Sequence, residues 1–258
     1  KLLTKDPKYE YRSFIAENFK DIYYTDEENA WLDIVIQNIE RIENIYKKAL
    51  ACYALFQACL VKRPFNLFHR KNLYLRFAEV KRTFGNKTTW DRPFEEHFMD
   101  FIREINYLVY DNNKENKAYN LDVFEIKGEF DLVYIDPPYT SLKGVSVDYK
   151  NFYHFLEGLV NYEKWESMIN YRTINKRFHR DSNPWNNKLK IRKKFRELFE
   201  KFRNSILVVS YRSDGIPSIQ QIESDLKLFK KHVHLHTFDN YKYVLSNSRT
   251  SEVLIIGE

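Results

Sequence analysis

The sequence predicts an α/β chain, a sheet of short apolar strands alternating with amphipathic helices and interrupted by a helical, basic insert. Phe130-Asp131-Leu132-Val133-Tyr134-Ile135 and residues 205–211, with Ile206-Leu207-Val208-Val209 at their heart, are apolar runs of strand length. That is the pattern of parallel strands buried on both faces. The segments between them repeat apolar residues at three- and four-residue intervals, and strands alternating with helices imply an α/β sheet.

The elements follow in chain order. Ile22-Tyr23-Tyr24 reads as a short strand, and Thr25 followed three residues later by Glu28 fits a capping box that opens a helix. Trp31, Ile34, Val35, Ile39, Ile42, Ile45 and Tyr46 then recur at helical spacing, and the stripe resumes through Ala49, Cys52, Phe56 and Leu60, as core packing would require. Residues 94–110 read as another amphipathic helix and 111–117 as a polar loop, with a strand or strand end over 119–124. Residues 233–238, 243–245 and 253–256 close the chain as strands. His232, His234 and His236 alternate and so share one strand face, which is expected to be a polar sheet face rather than a metal site.

Two basic stretches stand out. Between residues 62 and 92, Lys62, Arg63, Arg70, Lys71, Arg76, Lys81, Arg82, Lys87 and Arg92 face only Glu79 and Asp91, with Phe65, Phe68, Tyr74, Phe77, Phe84 and Trp90 interleaved. Residues 171–196 carry ten Lys or Arg against Asp181 alone. Cations mixed with aromatics suit phosphate contacts combined with stacking on bases. The whole chain is mildly basic, at +6, which favours an anionic partner.

Composition narrows the class further. The 258 residues are 43% hydrophobic, enough to bury a substantial core, and include only six glycines. No Gly-x-x-x-x-Gly-Lys-Ser/Thr cradle occurs, which argues against a nucleotide hydrolase. Cys52 and Cys59, seven residues apart on a predicted helix, would lie roughly 10 Å apart, too far for a disulfide. No apolar run approaches the ~20 residues needed to cross a bilayer. The chain therefore reads as cytoplasmic, without a membrane partner.

The chemistry concentrates in Asp136-Pro137-Pro138-Tyr139, at the carboxyl end of a predicted strand, where α/β sheets bind ligands. Two consecutive prolines stiffen the turn and leave carbonyl oxygens as acceptors. A carboxylate beside such a carbonyl makes a two-acceptor clamp for an NH₂ group, and Tyr139 offers a plane on which a flat heterocycle can stack. An aromatic amine is a poor nucleophile because its lone pair is delocalised. Accepting hydrogen bonds from both its hydrogens favours the pyramidal form that can attack an electrophile.

At these residues the chain resembles the adenine-specific DNA methyltransferases of the Dam-like class. The resemblance continues in Asp26, in Asp122 of Asn120-x-Asp122, in Arg63-Pro64-Phe65-Asn66-Leu67-Phe68-His69-Arg70, in Asp148-Tyr149-Lys150-Asn151-Phe152-Tyr153-His154-Phe155 and in Leu207-Val208-Val209-Ser210-Tyr211. It implies an S-adenosylmethionine-dependent methyltransferase with a Rossmann-like sheet. Methyl transfer would go to the exocyclic amine of an adenine flipped out of double-stranded DNA, without metal and within a restriction-modification system. Asp136, Pro137, Pro138 and Tyr139 would be catalytic. Asp26, Asp122, Asp136, Tyr149 and Phe152 would hold the cofactor. Arg63, His69, Arg70, Lys71, Arg82, Lys87, Arg172, Lys176, Arg177 and Arg180 are the cations expected at DNA.

The implied organisation is a catalytic domain of residues 1–50 and 115–258, a target-recognition insert over 51–114 and a second basic insert over 171–196. The family's Phe-x-Gly-x-Gly, which closes its first strand, is absent here. The resemblance therefore places that strand outside this chain, in an upstream segment or a second polypeptide, since a sheet lacking its middle strand exposes unpaired edges. Two other readings stand beside it: a methyltransferase acting on RNA or a protein amide, and a non-catalytic DNA-recognition subunit of a split enzyme.

Overall fold

The computed structural model describes residues 1–65, 67–79, 87–140, 148–180, 183–241 and 250–258. They form two compact units, one of residues 1–115 and 149–180, the other of 116–148 and 181–258. This division differs from the expected one. Residues 1–50 pack with the stretch read as an insert, and the second basic stretch is shared, with 171–180 in the first unit and 183–196 in the second.

The first unit is helical among its described residues: α1 (Phe14–Asn18), α2 (Asp26–Glu40), α3 (Ile45–Val61), α4 (Tyr74–Phe77), α5 (Lys87–Asp91), α6 (Phe94–Leu108), α7 (Tyr149–Phe152), α8 (His154–Val160) and α9 (Trp165–Met168). The capping box opens α2 as predicted: Thr25 accepts from the Glu28 N–H, and Glu28 accepts from the Thr25 N–H. The helix stops at Glu40, and Asn44 caps α3 by accepting from the Lys47 N–H at 3.0 Å. This break resets the phase of the apolar stripe, so Ile45 and Tyr46, read as core, are 70% and 73% exposed.

The strand expected over residues 22–24 does not form. Ile22, Tyr23 and Tyr24 make a buried bend, in which the Tyr23 hydroxyl donates to the Phe68 carbonyl at 2.6 Å and the Tyr24 hydroxyl to the Cys59 carbonyl at 2.7 Å. The Ile22 carbonyl accepts from the N–H groups of Asn72 and Leu73. A β-branched, aromatic composition reports burial as readily as it reports a ladder.

Around this bend lies an aromatic core of Phe14, Phe19, Tyr23, Tyr24, Phe68, Phe94, Phe98, Phe155 and Trp165. Phe68 stacks on Phe155 with centroids 5.2 Å apart. Phe68 and Trp90, expected among the base-stacking aromatics, are thus core residues, whereas Phe65, Tyr74 and Phe77 are exposed.

The second unit holds β1 (Leu132–Ile135), α10 (Ile191–Lys201), β2 (Ile206–Arg212), α11 (Ile219–Leu226), β3 (Val233–Tyr241) and β4 (Thr250–Gly257). The strands form a mixed sheet in the order β1-β2-β4-β3. β1 runs parallel to β2, with Leu132 opposite Ile206 and Ile135 opposite Val209; β2–β4 and β4–β3 are antiparallel. The strand expected over residues 243–245 lies outside the described residues. Residues 119–124 form no strand, because Asp122 turns them: its Oδ1 accepts from the Phe124 N–H at 2.9 Å and its carbonyl from the Glu125 N–H at 2.8 Å.

Ile191, Phe195, Leu198 and Phe199 of α10 and Ile219, Ile222 and Leu226 of α11 pack with Leu207, Val209, Tyr211, Val253 and Ile255. They cover one face of the sheet only. Leu132 and Tyr134, on the other face, are 53% and 57% exposed, so β1 is not buried on both faces as its composition predicted.

Candidate active site

β1 delivers its carboxyl end to Asp136-Pro137-Pro138-Tyr139. Thr140, next in the chain, is fully buried and anchors the turn: its carbonyl accepts from the Ile216 N–H at 2.8 Å. Beside the turn opens a cavity of about 590 Å³, lined by Leu121, Asp122, Val123, Val133, Tyr134, Ile135, Asp136, Pro137, Pro138, Asn183, Pro184, Trp185 and Leu198. This volume falls within the usual range of small-molecule sites.

Asp136 is exposed at the cavity, whereas Pro137 is buried. The Tyr139 ring packs edge-on against Tyr211, with centroids 5.5 Å apart. Its hydroxyl donates to Asp136 Oδ1 at 2.9 Å and stands 3.3 Å from Glu252 Oε1. Burial raises the phenol above its ordinary pKa, and the Asp136 and Glu252 carboxylates add to this, so Tyr139 stays neutral.

Two of the expected cofactor residues, Asp122 and Asp136, line this one cavity. The Phe124 N–H fixes Asp122 Oδ1, and Asp122 Oδ2 has no hydrogen-bond partner among the described residues. A cavity of this size with two carboxylates fits a cofactor that carries an amine. The far wall comes from Asn183-Pro184-Trp185, a turn that sequence reading missed. Asn183 caps it by accepting from the Trp185 N–H at 2.9 Å, and Trp185 meets Phe195 edge-on. An Asn-Pro pair before an aromatic is the signal that could have found it.

The remaining expected cofactor residues, Asp26, Tyr149 and Phe152, belong to the first unit. Asp26 is the first residue of α2, exposed, with Lys20 at 3.7 Å. Tyr149 is exposed and stacks on Tyr153; the Phe152 carbonyl accepts from the Phe68 N–H at 2.7 Å.

The expected DNA cations divide sharply. Arg63 is 3% exposed; its guanidinium lies 3.6 Å from the Phe68 ring centre and donates to the Leu67 carbonyl. It is enclosed in the core, with Nε and Nη1 buried and without a hydrogen-bond partner among the described residues, rather than presented at the surface. Lys62 and Arg76 are likewise buried, both paired with Glu28. His69, Arg70 and Lys71 are exposed, as are Arg172 and Arg180, and Lys176 and Arg177 are half-buried. Lys87 is exposed and pairs with Asp91. Arg82 lies outside the described residues.

The exposed cations of residues 69–71 and 172–180 are brought together by a buried hub. The Phe68 carbonyl accepts from the Tyr23 hydroxyl, from Asn175 Nδ2 at 2.9 Å and from the His154 ring at 3.1 Å. An antiparallel bridge between Ile169 and Phe178 closes the second loop, in which Lys176 adopts φ +55°. His234 and His236, in β3, are exposed, and His234 lies 3.5 Å from Glu258.

Residues 5–214 match the model of the D12 class N6 adenine-specific DNA methyltransferases. The chain belongs to this family. The matched range takes in Asp26, Asp122, Asp136-Pro137-Pro138-Tyr139, Tyr149 and Phe152, and ends before β4. Among curated relatives of this chain, the type II methyltransferase M2.HphI of Haemophilus parahaemolyticus is 33% identical over 157 residues, 58% of this chain and 46% of the relative. The modification methylase LlaI of Lactococcus lactis subsp. lactis is 26% identical over 243 residues, 91% of this chain and 36% of the relative. The modification methylase StsI of Streptococcus sanguinis is 27% identical over 159 residues, 58% and 22% respectively. The match thus spans less than half the length of each. No solved structure matches the chain. No helix among the described residues is long and apolar enough to cross a membrane.

Proposed function

We propose that this chain carries the catalytic site of a site-specific DNA adenine methyltransferase of a restriction-modification system, with S-adenosylmethionine as methyl donor. The observation that carries the reading is the cavity at the end of β1, walled by Asp122, Asp136, Pro137 and Pro138, in a chain of the D12 class.

When bound, S-adenosylmethionine supplies an electrophilic methyl group on a sulfonium centre. Asp122, through Oδ2, would accept from the cofactor's adenine amine. Asp136 and the Pro137 carbonyl accept the two N–H hydrogens of the target amine, which draws its lone pair out of conjugation and aims it at the electrophile. Tyr139 stacks on the flipped base, and stacking contributes to the few kcal/mol that flipping costs.

Arg70, Lys71, Arg172, Lys176 and Arg180, joined through the Phe68 hub, supply phosphate contacts. The family resemblance implies that Asp26, Tyr149 and Phe152 would also contact the cofactor. Among the described residues β1 pairs with β2 alone, and the first strand that the family resemblance implies would pair at its other edge.

The test is incorporation of labelled methyl from S-adenosylmethionine into duplex DNA, followed by nucleoside analysis. N6-methyladenine at one sequence context is the expected product. Label in cytosine, RNA or protein alone would overturn the reading.

A further inference from the structure

Glu252 is an acid in β4, immediately before the apolar run Val253-Leu254-Ile255-Ile256, and it is only 9% exposed. A buried carboxylate persists only where hydrogen bonds meet it. Hydroxyls are among its partners here: Ser210 Oγ donates to Glu252 Oε1, and the Tyr139 hydroxyl lies 3.3 Å from the same oxygen. That hydroxyl is at the same time 2.9 Å from Asp136 Oδ1. A phenol has one proton, so Tyr139 serves one carboxylate fully at a time. Asp136 is exposed at the cavity, while Glu252 is buried and accepts from Ser210.

We propose that Glu252, held by Ser210, is the positioning residue of Tyr139. When Asp136 turns to the target amine, the Tyr139 hydroxyl transfers its hydrogen bond to Glu252, which keeps the ring at its angle against Tyr211. The proton stays on the phenol oxygen, and no covalent bond forms or breaks. The inference rests on the roles proposed above for Asp136 and Tyr139. Glu252 itself lies beyond the residues that match the family.

Two measurements test it. The crystal structure of Asp136→Ala reads the hydrogen bond without turnover: the Tyr139 hydroxyl is expected about 2.7 Å from Glu252, and a hydroxyl turned anywhere else overturns the proposal. Steady-state methyl transfer by Glu252→Ala is expected to show kcat down about tenfold or more with the KM for S-adenosylmethionine unchanged. Glu252→Gln, whose amide oxygen still accepts, should recover most of that rate.

A Glu252→Ala variant with the wild-type kcat overturns the proposal. So does a Glu252→Gln variant as slow as Glu252→Ala, with both melting at lower temperature, because that marks a purely structural role. If Glu252→Ala fails to fold, Ser210→Ala takes its place in the kinetics and the Asp136→Ala structure decides. A wild-type protein that methylates no adenine would sink the proposed function instead, while the Asp136→Ala structure would still decide the placement of Tyr139.

Discussion

The hydroxyl of Tyr139 donates to Oδ1 of Asp136 at 2.9 Å, so the aromatic plane and the carboxylate at the end of β1 are tied together. Tyr139→Phe leaves the plane but removes the hydroxyl through which Glu252 would hold it, so it is expected to lose about as much kcat as Glu252→Ala, about tenfold. Tyr139→Ala removes the plane as well, and a stacking contribution of about 1–3 kcal/mol corresponds to a further loss of roughly 5- to 150-fold in kcat/KM. Equal losses in the two variants would contradict a stacking role.

Glu28 closes the capping box of α2 and also accepts from Lys62 and Arg76, at 2.6 Å each. Burial alone would raise its carboxyl, but the two cations hold it below the usual carboxylate range. The side chains of Lys62 and Arg76 are 1% and 4% exposed. Glu28→Ala leaves both cations buried without their acid, at a cost of about 3–5 kcal/mol. Urea denaturation checks this; a loss under 1 kcal/mol would show that the cations find water instead.

Gly158 lies in α8 where a Cβ would fall 1.8 Å from Trp165 Cε2. Alanine ordinarily favours a helix by about 1 kcal/mol over glycine. Here the overlap with a fully buried indole reverses the sign, and Gly158→Ala is expected to destabilise by about 1–3 kcal/mol, seen as a lower melting temperature. A melting temperature that rises would contradict the close packing of α8 against α9.

His154 is buried at the Phe68 hub, and burial pulls its pKa from 6.5 down to about 3. The unfolded chain takes up this proton near pH 6.5, while the folded protein refuses it until about pH 3. Stability conferred by the neutral ring is therefore complete above pH 6.5 and falls with pH between those values, by up to about 1.4 kcal/mol per pH unit. His154→Gln, which still offers a donor to the Phe68 carbonyl, should flatten the slope between pH 7 and 5. An unchanged slope in that variant would assign the acid sensitivity to other groups.

The strand that leads into Asp136 was legible because Leu132-Val133-Tyr134-Ile135 is short, apolar and ends in Asp-Pro-Pro, and β2 and the helices α2 and α6 were legible for like reasons. Ile22-Tyr23-Tyr24 misled because three large apolar residues in a row satisfy a strand and a buried bend equally well. The basic stretch from residue 62 misled because charge says nothing about direction. Glu28, more than thirty residues upstream, pulls Lys62 and Arg76 inward, and the Phe68 ring does the same to Arg63. Glu252 and Trp185 were invisible at the site because the contact of Glu252 with Tyr139 depends on sheet register and the place of Trp185 in the cavity wall on a turn far along the chain, which no local pattern encodes.

The most direct test of the account compares methyl transfer to duplex adenine by the wild-type protein and by Asp136→Ala under saturating S-adenosylmethionine. The account predicts N6-methyladenine from the wild type and a rate at least about 10²-fold lower from the variant, in line with the loss of an electrostatic contact made in the transition state. Undiminished adenine methylation by Asp136→Ala would contradict it.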